Sequence, residues 1–268
     1  MTGLLQRFLL SLYAIVNASG VLDSRFGEWI FLRSYFAYKR WLEPTPAALK
    51  DYVVPGSWII DVGANVGFYT QLFAAWVSQG GKVLSIEPEQ QNFLQLQQFV
   101  QSQKLGAKVV AVQAVASEID GKLKLLLNPD SHADHRIAVD GIATDSWRLD
   151  SLIAKHGWPR VSLIKIDVQG SEPRVLLGSL EILARFGPAV YMEVDDLALN
   201  QCGSSSAILI ESMRARGYAM HTVEGRKISA PLSPEAASAA MKKLGYADFL
   251  FLPPSTPICD AATQHSAK

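Results

Sequence analysis

Asp61 closes an apolar run, Trp58-Ile59-Ile60, and leads directly into Val62-Gly63-Ala64-Asn65-Val66-Gly67 and a helix-patterned stretch. A buried strand entering a glycine-rich turn and a helix is a place where a ligand can meet main chain. Gly63 has no Cβ to hold a ligand off, and Gly67 is expected to let the new helix sit tight on the strand. Amide groups at the helix start are expected to be free and to face the ligand. The glycines are spaced GxxxG. Asn65 takes the place of the middle glycine of the dinucleotide pattern GxGxxG, which a pyrophosphate needs for close approach. A nucleoside without phosphates fits better. S-adenosyl-L-methionine is such a molecule, and its cationic sulfonium and amino groups suit the Asp61 carboxylate, directly or through water. Gly63, Ala64, Asn65 and Gly67 are therefore expected to line the cofactor.

Glu87 follows the next apolar run, 82–86, and precedes Pro88. Nucleotide-binding folds place a ribose-holding acid at a strand tip roughly 20 residues beyond the glycine turn, and Glu87 falls near that interval. At the third strand end, Val115-Ala116-Ser117 offers small side chains and amides, with Ala116 the expected neighbour of an adenine ring.

A sulfonium donor implies in-line displacement, for which the protein aligns the acceptor and excludes water. A hydroxyl acceptor gains from a general base. Asp167 closes the fourth strand and is the first candidate to touch the reacting centre. Lys165, two residues earlier, lies on the same face. The pair either tunes its own ionisation or shapes the pocket as an ordinary ion pair. His135, between Asp134 and Arg136, is the second candidate base, because imidazole ionises near neutral pH. Glu172, just before Pro173, reads as a first-turn acid that favours the helix dipole. Asp167, Glu193, Asp195 and Asp196 have the oxygen chemistry magnesium prefers. Spacing in the sequence does not show that they converge, so no metal is assigned.

The elements that must carry these residues alternate. Apolar runs at 57–61, 82–86, 108–114, 161–166, 189–193, 218–221 and 249–252 read as strands. Helical patterns cover 68–77, 91–104, 172–185 and 207–216. Phe93, Leu96 and Val100 share one helix face, as do Leu176, Leu180 and Leu183. The expected fold is α/β, Rossmann-like, with a mostly parallel seven-stranded sheet and helices on both faces. Segment 122–147, rich in Asp, His, Asn and Pro, reads as irregular and is the expected place of acceptor recognition.

With 25 basic and 25 acidic side chains in 268 residues, no net field draws in nucleic acid or anionic lipid. Cys202 and Cys259 have neither zinc nor disulfide spacing, which reads as a reducing, cytoplasmic compartment. The Pro44-Thr45-Pro46 stretch separates an N-terminal helical extension, 1–46, from the main domain, 47–268. Residues 1–20 are apolar but too short to span a bilayer. They read first as an amphipathic helix packed on the domain. The other readings are a peripheral contact with the inner face of the membrane and a leader peptide.

Four ordered blocks resemble the FkbM family of methyltransferases: Asp61-Val62-Gly63-Ala64-Asn65-Val66-Gly67, Glu87-Pro88, Arg148-Leu149-Asp150, and Lys165-Ile166-Asp167-Val168-Gln169-Gly170-Ser171-Glu172. This chain has Gln169 where the family's Asp-Val-Glu-Gly has its glutamate. Asp134-His135-Arg136-Ile137 is similar to a stretch of some relatives, with Ala133 replacing a glycine. The resemblance implies a class I methyltransferase fold, S-adenosyl-L-methionine as methyl donor, and a hydroxyl of a sugar or secondary metabolite as acceptor. Two rival readings stand beside it: an NAD-dependent oxidoreductase on the same architecture, and a non-catalytic, membrane-associated binding protein.

Overall fold

The computed structural model describes residues 47–126, 136–137, 140–244 and 246–254. The expected N-terminal extension, the segment 1–20, His135 and Cys259 lie outside the described residues. A 3-10 helix, Ala47–Tyr52, opens the described chain. The first half of the α/β layer consists of β1 Trp58–Val62, α1 Phe68–Trp76, β2 Val83–Ile86, α2 Gln90–Ser102 and β3 Val109–Val112. Next come β4 Val115–Ala116, β5 Gly121–Leu126, β6 Arg136–Ile137, β7 Ile142–Trp147 and α3 Leu149–Lys155. The second half runs through β8 Val161–Ile166, α4 Glu172–Leu177, α5 Leu180–Phe186, β9 Ala189–Asp195, α6 Asp196–Gln201 and α7 Ser206–Arg214. It ends with β10 Ala219–Glu224, β11 Lys227–Ile228, α8 Pro234–Leu244 and β12 Tyr246–Leu252.

The main sheet has the order β11-β10-β12-β9-β8-β1-β2-β3. Strands β3, β2, β1, β8 and β9 are parallel, and β12 inserts antiparallel between β9 and β10. The seven expected strands are present, and the two-residue β11 extends the edge beyond β10. From β1 the chain builds outward through β2 and β3, then returns to lay β8 and β9 on the other side. The order reverses between β1 and β8, the point at which open α/β sheets leave a crevice for ligands.

Every residue of β1 and β8 is buried. Helices cover both faces, so these strands read as continuous apolar runs rather than alternating ones. One core contains Ile60, Val62, Ile164, Ile166, Val190 and Met192 under α3, α4, α5, α7 and α8. The other contains Ile59, Val83, Leu163, Tyr191 and Leu250, with Phe73 of α1 and Phe93, Leu96 and Val100 of α2. Asp61 and Lys165 are the charged members of β1 and β8, and both belong by alternation to this second face.

Three expectations change. Segment 122–147 is not irregular throughout: β5 and β7 pair antiparallel from Gly121↔Ser146 to Leu125↔Ile142 within a second sheet, β4-β7-β5-β6. These strands bury only Leu125 and Ser146, so no apolar alternation marks them in the sequence. The expected strand 108–114 ends at Val112, and β4 leaves the main sheet to pair with β7.

The expected helix 172–185 breaks at Gly178-Ser179. A Cβ on Gly178 would collide with the Ser117 carbonyl, and the Ser179 hydroxyl donates back to the carbonyls of Val175 and Leu176. Asp150 of α3 then accepts from the amides of Ile182 at 3.0 Å and Glu181 at 3.2 Å, capping α5 from another element. Arg148 Nη2 donates to the same carboxylate at 3.0 Å. With the helix broken, Leu180 is 38% exposed instead of sharing a buried face with Leu176 and Leu183.

Among the described residues no helix is long and apolar enough to cross a membrane. Replacing Asp150 by Ala strands the Glu181 and Ile182 amides at the start of α5. We expect a loss of about 1–3 kcal/mol in urea unfolding, and a smaller loss for Asp150→Asn, which keeps one acceptor oxygen.

Candidate active site

The turn after β1 spends its own amides. Gly63 N and Ala64 N both donate to the Ile86 carbonyl at 3.0 Å, and Gly67 N donates to Ala64 O at 2.9 Å. Asn65 N donates to Glu87 Oε2 at 2.8 Å, and Val66 N to the side-chain oxygen of Asn65 at 2.7 Å. The amides of the turn itself, from Gly63 to Gly67, are therefore taken. Asn65 adopts φ 49°, a left-handed conformation that asparagine tolerates and that lets its side chain reach the next amide.

The two glycines serve contacts within the protein. Gly63, at φ 71°, lies under the Asp167 carbonyl, which a Cβ would strike, so what approaches it closely is the end of β8. Gly67, at φ 99°, faces Leu96 and Phe99 of α2, to which a Cβ would come within 2.9 and 3.2 Å. It seats α2 beside the turn, where the sequence suggested packing on the strand.

Beneath the turn is a buried charge cluster. Asp61 and Lys165 are Cα partners across β1 and β8. Asp61 is fully buried; Oδ2 accepts from the Thr70 hydroxyl at 2.7 Å, which also meets Ser85 Oγ at 2.9 Å. Asp61 Oδ1 has no hydrogen-bond partner, and Lys165 Nζ stands 3.7 Å away. Burial pushes Asp61 above the usual carboxylate range, with the Lys165 charge and the Thr70 hydroxyl working against it. Lys165 Nζ also donates to Gly63 O at 3.0 Å, pairs with Asp167 Oδ2 at 3.1 Å and sits 5.1 Å from the Tyr69 ring centre. One ammonium thus ties the turn, β1 and the end of β8 together. Asp167 keeps 33% of its side chain exposed, whereas Lys165 and Asp61 keep 5% and 0%, so Asp167 is the member a substrate can reach.

Glu87 is buried at the tip of β2, where Oε1 accepts from Glu89 N at 3.0 Å and Oε2 from Asn65 N. Burial pushes it up to about 7, although those amides favour its charged form. Across β8 and β9, Lys165 faces Tyr191 and Ile166 faces Met192, which brings Asp167 level with Glu193. Glu193 is pushed up to about 10, first by burial, then by the charge of Asp167 and a hydrogen bond to it, and then by Asp248.

Ala116 is buried in the core beside the β4–β7 ladder. Glu172 is in the first turn of α4, as expected, and is buried there: Oε1 accepts from Gly170 N at 3.1 Å, and Oε2 has no hydrogen-bond partner. Burial pushes it up to about 7, and it clasps the turn that follows Asp167. Asp195 accepts from Leu197 N and Ala198 N, and Asp196 from Ser206 N, so both serve helix starts. Among the described residues no group of three His, Cys, Asp or Glu is placed to hold a metal ion.

Thr70, Tyr69, Tyr191 and Asp248 were not expected in the site. Tyr191 and Glu193 alternate on β9 as Lys165 and Asp167 do on β8, a signal the sequence does carry. Asp248 needs the β12–β9 register, which it does not.

Lys165→Met leaves Asp61 buried beside Asp167 without a cation. We expect a loss of about 3–5 kcal/mol by chemical denaturation, with part of it recovered when Asp61→Asn is added.

No curated protein matches the chain. Among solved structures it is similar to methyltransferase FkbM from Methylobacillus flagellatus KT, at 15% identity and TM-score 0.48. That alignment covers 74% of this chain and 43% of the other, so this chain spans less than half of that protein's length. It is also similar to a candidate methyltransferase from Streptococcus mutans in complex with SAH, at 11% identity and TM-score 0.45, over 79% of this chain and 96% of the other. An rRNA methylase from Streptococcus thermophilus aligns at 12% identity and TM-score 0.43, over 78% and 93%. The methyltransferase FkbM domain matches residues 61–220, more than half of the sequence and from Asp61 through β8 and β9, and the chain belongs to that family, with its class I methyltransferase α/β fold.

Proposed function

We propose that the chain transfers a methyl group from S-adenosyl-L-methionine to a hydroxyl of a small acceptor, a sugar or secondary metabolite. The observation that carries the cofactor is the saturated turn. All five amides from Gly63 to Gly67 are engaged, one by a carboxylate and one by a side-chain amide oxygen. A diphosphate needs free amides and would meet the Glu87 carboxylate, so the geometry disfavours NAD. A nucleoside bearing hydroxyl donors and positive charge suits it. The Glu87 carboxylate accepts two main-chain amides and the Asn92 side chain, which leaves a lone pair for a ribose hydroxyl.

Gly63, Ala64, Asn65 and Gly67 would shape the wall against which the nucleoside lies, with Ala116 at the base of the adenine side. Bound there, S-adenosyl-L-methionine supplies a methyl group activated by its sulfonium. Asp61 is a positioning residue: it holds Thr70 and Lys165, and through Lys165 it sets the Gly63 carbonyl and Asp167. Asp167, partly exposed at the mouth of the crevice, takes the proton of the acceptor hydroxyl through its carboxylate. His135, close to β6 in the chain, is the second candidate for that proton.

Thermal melting with added S-adenosylhomocysteine or NAD tests the cofactor. We expect stabilisation by the first at a hundredfold excess over Kd, about 2.7 kcal/mol, and none by the second. Glu87→Gln weakens that binding by about tenfold or more while the ligand-free protein stays folded. Stabilisation by NAD alone overturns the reading.

A further inference from the structure

Glu193 has no part in the chemistry just derived, yet it lies against the residue that has the central part. Asp167 at the end of β8 and Glu193 on β9 stand level on one face of the sheet, the face that also presents Lys165 and Tyr191. Asp248 is the Cα partner of Glu193 across the β12–β9 ladder. The Tyr191 hydroxyl donates to Asp248 and meets Tyr69 of α1, whose ring lies over Lys165. Asp61 of β1 completes the set from the far side of Lys165. Three carboxyl groups, Asp61, Asp167 and Glu193, thus share one ammonium, and carboxyl groups packed this closely do not all ionise.

The surroundings decide which of the facing pair holds a proton. Asp167 has Lys165 Nζ at 3.1 Å and a third of its side chain in solvent, both of which favour its charge. Glu193 is desolvated by burial and faces Asp167 on one side and Asp248 on the other. Environments that drive two neighbouring carboxyl groups apart assign them different protonation states.

We propose that Glu193 holds the proton of this pair and donates it as a hydrogen bond to Asp167, which makes Glu193 a positioning residue that keeps Asp167 ionised and aimed at the acceptor. The inference rests on the reading of Asp167 as the acceptor's base. The proton balance is simple. The acceptor hydroxyl gives its proton to the Asp167 carboxylate, Glu193 keeps its own, and Asp167 returns the acquired proton to water once product has left. Were Glu193 ionised, Asp167 would itself be forced to take up a proton and could not serve as base.

The pair can be read without cofactor or acceptor. In an infrared difference spectrum, wild type minus Glu193→Gln, a protonated-carboxyl band is expected at about pH 8 and is lost only on strong alkalinisation. Asp167→Asn removes the facing charge and should lower the midpoint of that loss by about one pH unit or more.

Stability reports the same proton. The carboxyl rises from 4.5 to about 10 on folding, so its contribution is complete below 4.5 and disappears as pH climbs through about 10. Glu193→Gln, a neutral isostere, should flatten the fall of stability across that window by about one proton. Absence of the band at about pH 8, or a midpoint unmoved by Asp167→Asn, overturns the proposal.

In methyl-transfer assays with S-adenosyl-L-methionine and hydroxylated acceptors, Glu193→Ala should lose about 10–100-fold in kcat. Glu193→Gln, which keeps a donor, should stay within about fivefold of wild type, and affinity for S-adenosylhomocysteine should be unchanged in both. A glutamine variant as impaired as the alanine variant also overturns the proposal. Failure of the cofactor reading would show as lost S-adenosylhomocysteine binding in the wild type, with the infrared band intact.

Discussion

The burial of one ammonium group is the constraint from which the site follows. Lys165 lies 4% exposed in the middle of the sheet, and a charge in that position costs several kcal/mol unless it is paired and hydrogen-bonded. Its compensation comes from three separate parts of the chain: the Asp61 carboxylate of β1, the Gly63 carbonyl of the turn, and the Asp167 carboxylate beyond β8. Removing any of these would leave Lys165 under-compensated. The turn, the two central strands and the candidate base are therefore coupled in position. This cluster sits where the strand order reverses, so the crevice and the groups that work in it are built by the same three segments.

Around that cluster the protein restricts what its glycine turn can bind. A strand-turn-helix junction is by default a site for anions, because its amides point outward. Here Glu87 and Asn65 occupy two of those amides and carbonyl oxygens the other three, so that a negative group takes the place a phosphate would fill. On the proposed reading the junction favours cations and hydroxyl donors. A single acid at the tip of β2 thus fixes the turn and sets its electrostatic sign.

Much of the central layer was legible in the sequence because strands covered on both faces leave an unmistakable apolar run. Those around Ile59-Ile60, Val83-Leu84 and Leu163-Ile164 all form strands within a residue or two of expectation. The β5–β7 hairpin was not legible, since a sheet that buries two side chains in these strands leaves no periodic trace. The break at Gly178-Ser179 was hidden for another reason. The heptad-like apolar spacing continues across it, and only the Ser117 carbonyl and the Asp150 cap, both distant in sequence, make the break necessary. Glu172 stands in the first turn of its helix as expected, but its burial was not legible because it depends on elements packed over it.

The sequence by itself determined the family, the strand-turn-helix junction and the acids that flank it, because these depend on residues close together along the chain and on the apolar periods of single elements. It also determined that Lys165 and Asp167 share a face, by the two-residue repeat of a strand. Only the tertiary structure decided that Asp61 and Lys165 pair in a buried cluster, that the amides of the turn are engaged within the protein, and that Glu193 stands between Asp167 and Asp248. Those outcomes rest on register between strands that are far apart in sequence, and on desolvation, which belongs to the packed protein and to no single residue.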